Sequence, residues 1–284
     1  MADLIPLTLA FMGSRPDAAA RVIEDMPAED AAALFAQVPA RVGAGVLRLM
    51  AAASAARCLE ILPPERGAGL LRELPFVDAV TFFRNLASGV RGTIADALPA
   101  NLARDLRIAV TYPVGTVGAV MDQAAVSVAA TRTVDEVAKL VKRRRRKATD
   151  HLFVVDEDGR FLGTVRAGDL LRADGKTRID DLMDKAVAPL SNRATLASVL
   201  GNPQWNSYLA LPVIGRTGNF IGALSRAALG AGLAELRRGR RPAVDGADSL
   251  MGNLMGAYLL ACAGMLRTVA HIGDPAPGTI GEPE

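Results

Sequence analysis

Histidine, cysteine and tryptophan are nearly missing from this chain, with two, two and one among 284 residues. Cys58 and Cys262 are too few and too distant for a disulfide framework, and neither they nor His151 and His271 fall at metal-ligand spacing. Disulfide-stapled scaffolds and zinc folds are thereby excluded. Cys58, among apolar neighbours, reads as a core residue, and a reducing cytoplasm is the expected compartment. His151, beside Asp150, reads as a surface or pairing residue. No Gly-rich phosphate loop and no nucleophile–base pair is present, so the chain is read as non-enzymatic. Nor is a secretory leader expected, since Met1 to Met12 lacks a basic start and Asp3 interrupts it. Aromatic residues make up 4% against 50% hydrophobic overall, so any core must be built from Ala, Leu, Val and Met. Small side chains let helices approach closely.

Charge of one sign is not in general excess, since the net charge is +3. Its distribution matters more. Lys142 to Lys147 (KRRRRK) together with Arg237, Arg238, Arg240 and Arg241 hold ten of the 33 basic residues, and without them the 30 acidic residues dominate. Two readings stand for these patches: contact with phosphate, acidic lipid or an acidic partner, or a solvated helix face. We expect no nucleic-acid partner. Long hydrophobic runs are equally scarce. Ser249 to Leu266 stays uncharged over about the minimum length of a membrane helix, and it is weakly apolar, with Gly252-x-x-x-Gly256 inside. It is either a membrane or membrane-surface helix, or a helix packed in a protein interface.

What the chain does have is a twelve-residue rhythm. Met26-Pro27, Val38-Pro39, Leu62-Pro63, Leu74-Pro75 and Leu98-Pro99 lie on one lattice, whose two proline-free nodes are Met50-Ala51 and Leu86-Ala87. Eight, five, four and one residues before each node, small or apolar residues recur, as in Gly67, Leu70, Leu71 and Leu74. That spacing is one face of an amphipathic helix. Proline disfavours helix in the residue before it and suits a helix start, so each node ends one short helix and begins another. Arg21 to Leu106 is therefore predicted to form a stack of short helices. The first-turn acids Glu29 and Asp30 read as dipole partners.

After the turn-rich joint Thr111-Tyr112-Pro113-Val114-Gly115 the texture changes. Val126 to Val128 reads as a strand, Thr133 to Arg143 as a helix with Glu136 completing a capping box, and Leu152 to Val155 as a buried strand. Asp156-Glu157-Asp158-Gly159 turns into Phe161 to Val165, followed by a short helix at Ala167 to Arg172. This β-α-β-β-α unit then repeats: Ile179 to Met183 answers Val117 to Met121, Thr195 starts a second long helix, and Ala210 to Ile214 and Phe220 to Ser225 form the second hairpin around Arg216-Thr217-Gly218-Asn219.

The paired unit, with V-x-x-V-M-D at Val117 to Asp122, V-V-D-x-D-G at Val154 to Gly159 and G-x-V-x-x-x-D at Gly163 to Asp169, resembles a tandem cystathionine-β-synthase (CBS) domain pair. With the helical array before it and the joint Leu106-x5-Tyr112-Pro113-x2-Thr116-x-Gly118-x2-Met121, it is similar to the intracellular region of MgtE-type magnesium transporters. The expected fold is α+β multidomain: residues 1–112 an all-α superhelical stack; 113–236 the CBS pair, split into about 113–174 and 175–236; 237–284 a basic linker, an apolar helix at 249–270 and a tail.

The resemblance implies a cytoplasmic regulatory protein, associated with the inner face of the membrane, that dimerises through the CBS pair and responds to Mg2+ or to ATP, AMP or another adenosine ligand. It also implies site residues. The ribose position is Asp169, with Thr164 nearby and Arg166 meeting phosphate; in the second copy Ser225 is retained while Ala228 replaces the acid. Asp169 serving only a local cap or pair is the competing reading. Asp122, Asp180, Asp181 and Asp184 are the best carboxylate group for magnesium, with dipole partnering at helix starts as the alternative. MgtE proteins continue into a membrane bundle; with about fifty residues after Leu233, the expectation is that this chain does not conduct magnesium alone. A scaffold or accessory subunit that engages a membrane or a membrane protein through 249–266 is the second functional expectation.

Overall fold

The structure is a computed structural model, and it describes residues 4–143 and 151–238. The segment 249–266, most of KRRRRK, Cys262 and His271 lie outside the described residues. The described residues divide into two compact units, one up to Ala103 and the other from Arg104 onward.

The first unit follows the twelve-residue rhythm. After α1 (Leu4–Ser14) and α2 (Pro16–Glu24) come α3 (Ala28–Gln37), α4 (Ala40–Leu47), α5 (Ala52–Ile61), α6 (Pro64–Glu73), α7 (Phe76–Asn85), α8 (Ser88–Ala97) and α9 (Ala100–Ala109), from α3 onward starting every twelve residues, with α9 continuing from Arg104 into the second unit. The residue before each node is extended and buried, as at Val38, Leu62, Leu74, Leu86 and Leu98. Proline itself sits one place earlier than the first helical residue, at the cap, with φ −53° and ψ 139° at Pro27. The predicted faces are the core: Ala31, Leu34, Phe35, then Val46 and Leu47, then Ala55, Cys58 and Leu59, then Leu70 and Leu71, then Ala79, Phe82 and Phe83 are all buried. Burial pushes the Cys58 thiol up to about 11, as befits a packing residue. Each helix packs on the second one along, α3 on α5, α4 on α6, α5 on α7 and α6 on α8. Two interleaved columns of short helices result, each contacting only near neighbours.

The proline-free nodes explain themselves. Ala51 (φ −61°, ψ 138°) and Ala87 (φ −57°, ψ 146°) adopt the backbone of the prolines, but each retains an N–H. The Ala51 N–H donates to the Glu24 carboxylate and the Ala87 N–H to Glu60 Oε1 at 2.6 Å. A glutamate thus takes up the donor that proline deletes elsewhere. Glu60→Ala is expected to destabilise the unit by about 1 kcal/mol, and Ala87→Pro in that background to recover most of the loss, because proline has no donor to satisfy. Urea denaturation of the four proteins of this cycle checks it; a double variant no better than Glu60→Ala would assign the loss to something other than the N–H.

The second unit is two copies of one motif. The first contains β1 (Ser127–Ala129), α10 (Val134–Arg143), β2 (His151–Val155), β3 (Phe161–Arg166) and α11 (Ala167–Arg172). The second contains α12 (Ile179–Leu182), β4 (Leu190–Ser191), α13 (Leu196–Leu200), β5 (Ala210–Ile214), β6 (Phe220–Ser225) and α14 (Arg226–Arg238). Each copy has a three-stranded sheet with a parallel first pair and an antiparallel hairpin, β1-β2-β3 and β4-β5-β6. The registers match position for position: His151 faces Arg166 as Ala210 faces Ser225, and Phe153 faces Thr164 as Pro212 faces Ala223, with the irregularity at the same step. Val128, Val137, Leu152, Val154, Val165 and Ile179 form the apolar centre of the first copy.

One expected element is cut short. Thr195 does cap α13, accepting from the Ser198 N–H at 3.2 Å, but the helix runs only five residues. Gly201-Asn202-Pro203 stops it, and a 3₁₀ turn at Pro203–Asn206 buries Trp205 instead.

Candidate functional site: the cross-copy cluster of the CBS pair

The two copies are linked by exchange. Asp122, just ahead of the first copy's sheet, forms a bridge with Ala223 on β6; Asp184, just ahead of the second's, bridges Thr164 on β3. Gly222 and Gly163 make this approach feasible, since a Cβ at either would come within 2.6 and 2.7 Å of the Asp122 and Asp184 carbonyl oxygens. The joint motif has a similar cause. The Tyr112 ring lies on Gly118, where a Cβ would come within 2.5 Å of it, and Gly115 has φ +80°.

At the β3–α11 junction the sequence-selected residues meet partners from the second copy. Thr164 is 1% exposed and its Oγ1 has no hydrogen-bond partner among the described residues. Arg166 occupies the cap position of α11 without making a capping bond, and its guanidinium stands over the Tyr208 ring at 6.0 Å. His151, opposite Arg166 in the ladder, is buried rather than at the surface, its ring 5.5 Å from that of Tyr208. β2 is covered on both faces, its first four residues all being buried, so His151 is enclosed despite the neighbouring Asp150 in the sequence. Tyr208 donates its O–H to Asp184 Oδ2 at 2.5 Å. That bond, the Ala186 N–H and the Arg166 charge hold the Asp184 carboxyl below its usual range, while burial and Asp184 push the Tyr208 hydroxyl up. Tyr208, one of three tyrosines, was not singled out by sequence. Its only signal there was an aromatic residue at the entry to a strand.

Asp169 lies in the first turn of α11, half-exposed, with Oδ1 3.3 Å from Arg172 Nη1. Ser225 precedes α14 and its Oγ accepts from the Ala228 N–H at 3.0 Å, so this hydroxyl is used to cap a helix.

The four carboxylates expected to form a magnesium group do not gather. Among the described residues, no three His, Cys, Asp or Glu side chains converge on a metal position. Asp180 is held by Arg178 at 2.6 Å and its carboxyl is lowered by that partner. Asp181 is exposed at the start of the four-residue α12. Asp122 and Asp184 each turn back on the backbone, accepting from Ala124 and Ala186 N–H groups at 2.9 Å. Their equivalence under the internal symmetry places them on separate exchanged segments rather than at one point.

Because the folded-state value of Asp184 is lowered, its contribution to stability is present above the ordinary carboxylate range and is lost as the pH falls through its own depressed value. Asp184→Asn is therefore expected to be less stable than the parent at neutral pH, and the two unfolding midpoints to converge as acid protonates the parent. Midpoints that stay equally separated from pH 7 to about pH 2 would assign the difference to packing.

The fold and this site define a helical-repeat domain followed by a CBS pair. The comparisons make this more particular. Residues 14–115 match the family model of the MgtE intracellular N domain and residues 117–176 that of the CBS domain, so the chain combines these two domains in that order. It is 25% identical over 134 residues to the magnesium transporter MgtE of Thermus thermophilus, an overlap of 46% of this chain and 30% of that protein. The chain thus spans less than a third of that relative. Among solved structures, the cytosolic domain of the Mg2+ channel MgtE in complex with ATP is similar at TM-score 0.63 and 21% identity, over 78% of this chain and 92% of that one. The soluble part of a magnesium transporter is similar at TM-score 0.55 and 16% identity, over 83% and 99%. At these identities the likeness is one of fold. Among the described residues no helix is long and apolar enough to cross a membrane.

Proposed function

We propose that this chain is a cytoplasmic regulatory module of the MgtE type, non-catalytic, whose CBS pair binds an adenine nucleotide and reports it, with magnesium, to a transport partner. The observation that carries the reading is the β3–α11 junction inside a chain with MgtE N and CBS domains: a buried Thr164 hydroxyl without a partner among the described residues, Arg166 making no capping bond and Asp169 half-exposed. A guanidinium suits a phosphate and a carboxylate suits a ribose diol. The solved MgtE cytosolic domain with ATP supports nucleotide as the ligand class. Magnesium enters as the solute being sensed, and no ligand residues are assigned to it. The test is calorimetry and thermal shift with ATP, AMP and Mg2+, separately and together. Saturable heat with ATP or AMP is expected. No heat and no shift at millimolar ligand would reject the reading and leave a scaffold.

A further inference from the structure

We infer that the uncharged segment Ser249 to Leu266 folds back on its own chain and covers the outer face of α1. The first helix of the array is unlike the rest. Its eleven residues, Leu4–Ser14, carry no charged side chain, whereas every helix from α2 to α9 carries at least one. Thr8 and Met12 are buried on its inner side, and α1 packs on α2 and α4. The other side is left apolar. Leu7 is 48% exposed, Ala10 is exposed and Phe11 is half-buried, at the i, i+3, i+4 spacing of one helix face. A terminal helix of a repeat stack ordinarily shows a polar outer face, because no further repeat covers it.

Three occupants suit such a face, and charge and area separate them. A lipid surface is disfavoured, since interfacial helices line their polar face with Lys or Arg and α1 has neither. A second copy gains too little. A helix of this length is about 16 Å long and about 10 Å wide, so its outer half offers about 250 Å², against about 800 Å² per partner in a stable association. A segment of the same chain escapes that limit, because a tether replaces free association by an effective concentration in the millimolar range. Ser249 to Leu266 matches the face in character: without a charge in it, it can lie on apolar side chains and bury no ion. Wound as a helix it would be about 27 Å long, enough to overlay the whole of α1. Met251, Leu254, Met255, Tyr258 and Cys262 would then share one side, at i, i+3, i+4, i+7 and i+11. Unbranched methionines adapt to an uneven surface of Leu, Ala and Phe. The ten residues 239–248 join the segment to α14, a tether of about 17 Å root-mean-square span and about 35 Å at full stretch.

The test is the maleimide labelling rate of Leu7→Cys in the whole chain, in a Cys262→Ser background and without lipid. Leu49→Cys is the reference, since Leu49 is 45% exposed and Leu7 48%. Cys58 is buried and its thiol is pushed up to about 11, so it stays unlabelled while the array is folded and exposes any variant that is not. Leu7→Cys is expected to react about tenfold or more slowly than Leu49→Cys. Leu254→Glu and Tyr258→Glu, each adding a charge to the packing side, should bring the two rates within about twofold of each other. Equal rates before either glutamate is introduced would overturn the inference, and so would protection that survives both. Protection that grows with protein concentration would give the face to a second copy instead. Rates that are equal in buffer and separate only when vesicles of phosphatidylcholine and phosphatidylglycerol are added would give it to a lipid surface.

Discussion

Phe83→Ala will destabilise the helical-repeat unit by about 3–5 kcal/mol, the upper range for a fully buried aromatic side chain. Phe83 has no exposed surface and lies on the inner face of α7, which packs on α5. With aromatics at 4% of the chain, its neighbours on the repeat lattice are mostly Ala, Leu and Val, which have little reach to refill the volume. Nor can α7 slide to close it. Its two ends are set by the extended residues Leu74 and Leu86, twelve apart, so its length and position are fixed by the turns on either side. In a stack where each helix touches only near neighbours, the loss is borne by one layer. The control is Leu49→Ala: Leu49 is 45% exposed, and its change should stay within about 0.5 kcal/mol. Urea denaturation followed by far-ultraviolet circular dichroism reads both. A Phe83→Ala loss below about 1 kcal/mol would mean that the layer collapses onto the gap.

The second large effect is expected in the CBS pair. Gly222→Ala places a Cβ 2.6 Å from the Asp122 carbonyl oxygen and 3.3 Å from the Gln123 Cα, both backbone atoms that cannot rotate away. The segment cannot simply retreat, because Asp122 and Ala223 exchange two backbone hydrogen bonds, of 2.8 and 2.9 Å. Gly163→Ala meets the same obstacle at Asp184, which exchanges bonds of 3.0 and 2.7 Å with Thr164. Each change should cost about 2–3 kcal/mol through overpacking and weakened bonds. The single tryptophan, Trp205, is buried in this unit and its fluorescence follows unfolding. Gly230→Ala gives the opposite sign. Gly230 is inside α14 with nothing within 4 Å of an added Cβ, so alanine should stabilise by about 0.5–1 kcal/mol. Equal midpoints for Gly222→Ala and the parent would show that the exchanged segment yields at no cost.

Much of the architecture was legible without coordinates, and the reasons are local. Proline restricts its own φ and its predecessor, and an amphipathic face recurs at a fixed distance from it, so helix starts at 28, 40, 52, 64, 76, 88 and 100 follow from neighbouring residues alone. The nodes without proline were visible as gaps, yet the compensating glutamates were not. Glu24 and Ala51 are 27 residues apart, as are Glu60 and Ala87, and only the packing of one layer on another joins them. In the CBS pair, the turn glycines at 159 and 218, with φ +76° and +83°, were readable for the same local reason. The second long helix ends after five residues because Gly201-Asn202-Pro203 stops it, a local signal that outweighs the capping Thr195.

The candidate site divides along the same line. Sequence by itself determined that two like units follow a helical array, and that Thr164, Arg166 and Asp169 belong to one strand-to-helix junction, because those are facts of periodicity and short spacing. Which residues of the other copy would stand against that junction was decided only by the tertiary fold, which brings Asp184 and Tyr208 beside Arg166 and His151. The fold likewise kept Asp122, Asp180, Asp181 and Asp184 from forming a metal group and gave Ser225 to a helix start. A carboxylate's partner depends on which backbone passes nearest after exchange of segments, and hydrophobic pattern does not encode that choice. The organising repeat needed only its own residues, while the site needed two parts of the chain to meet.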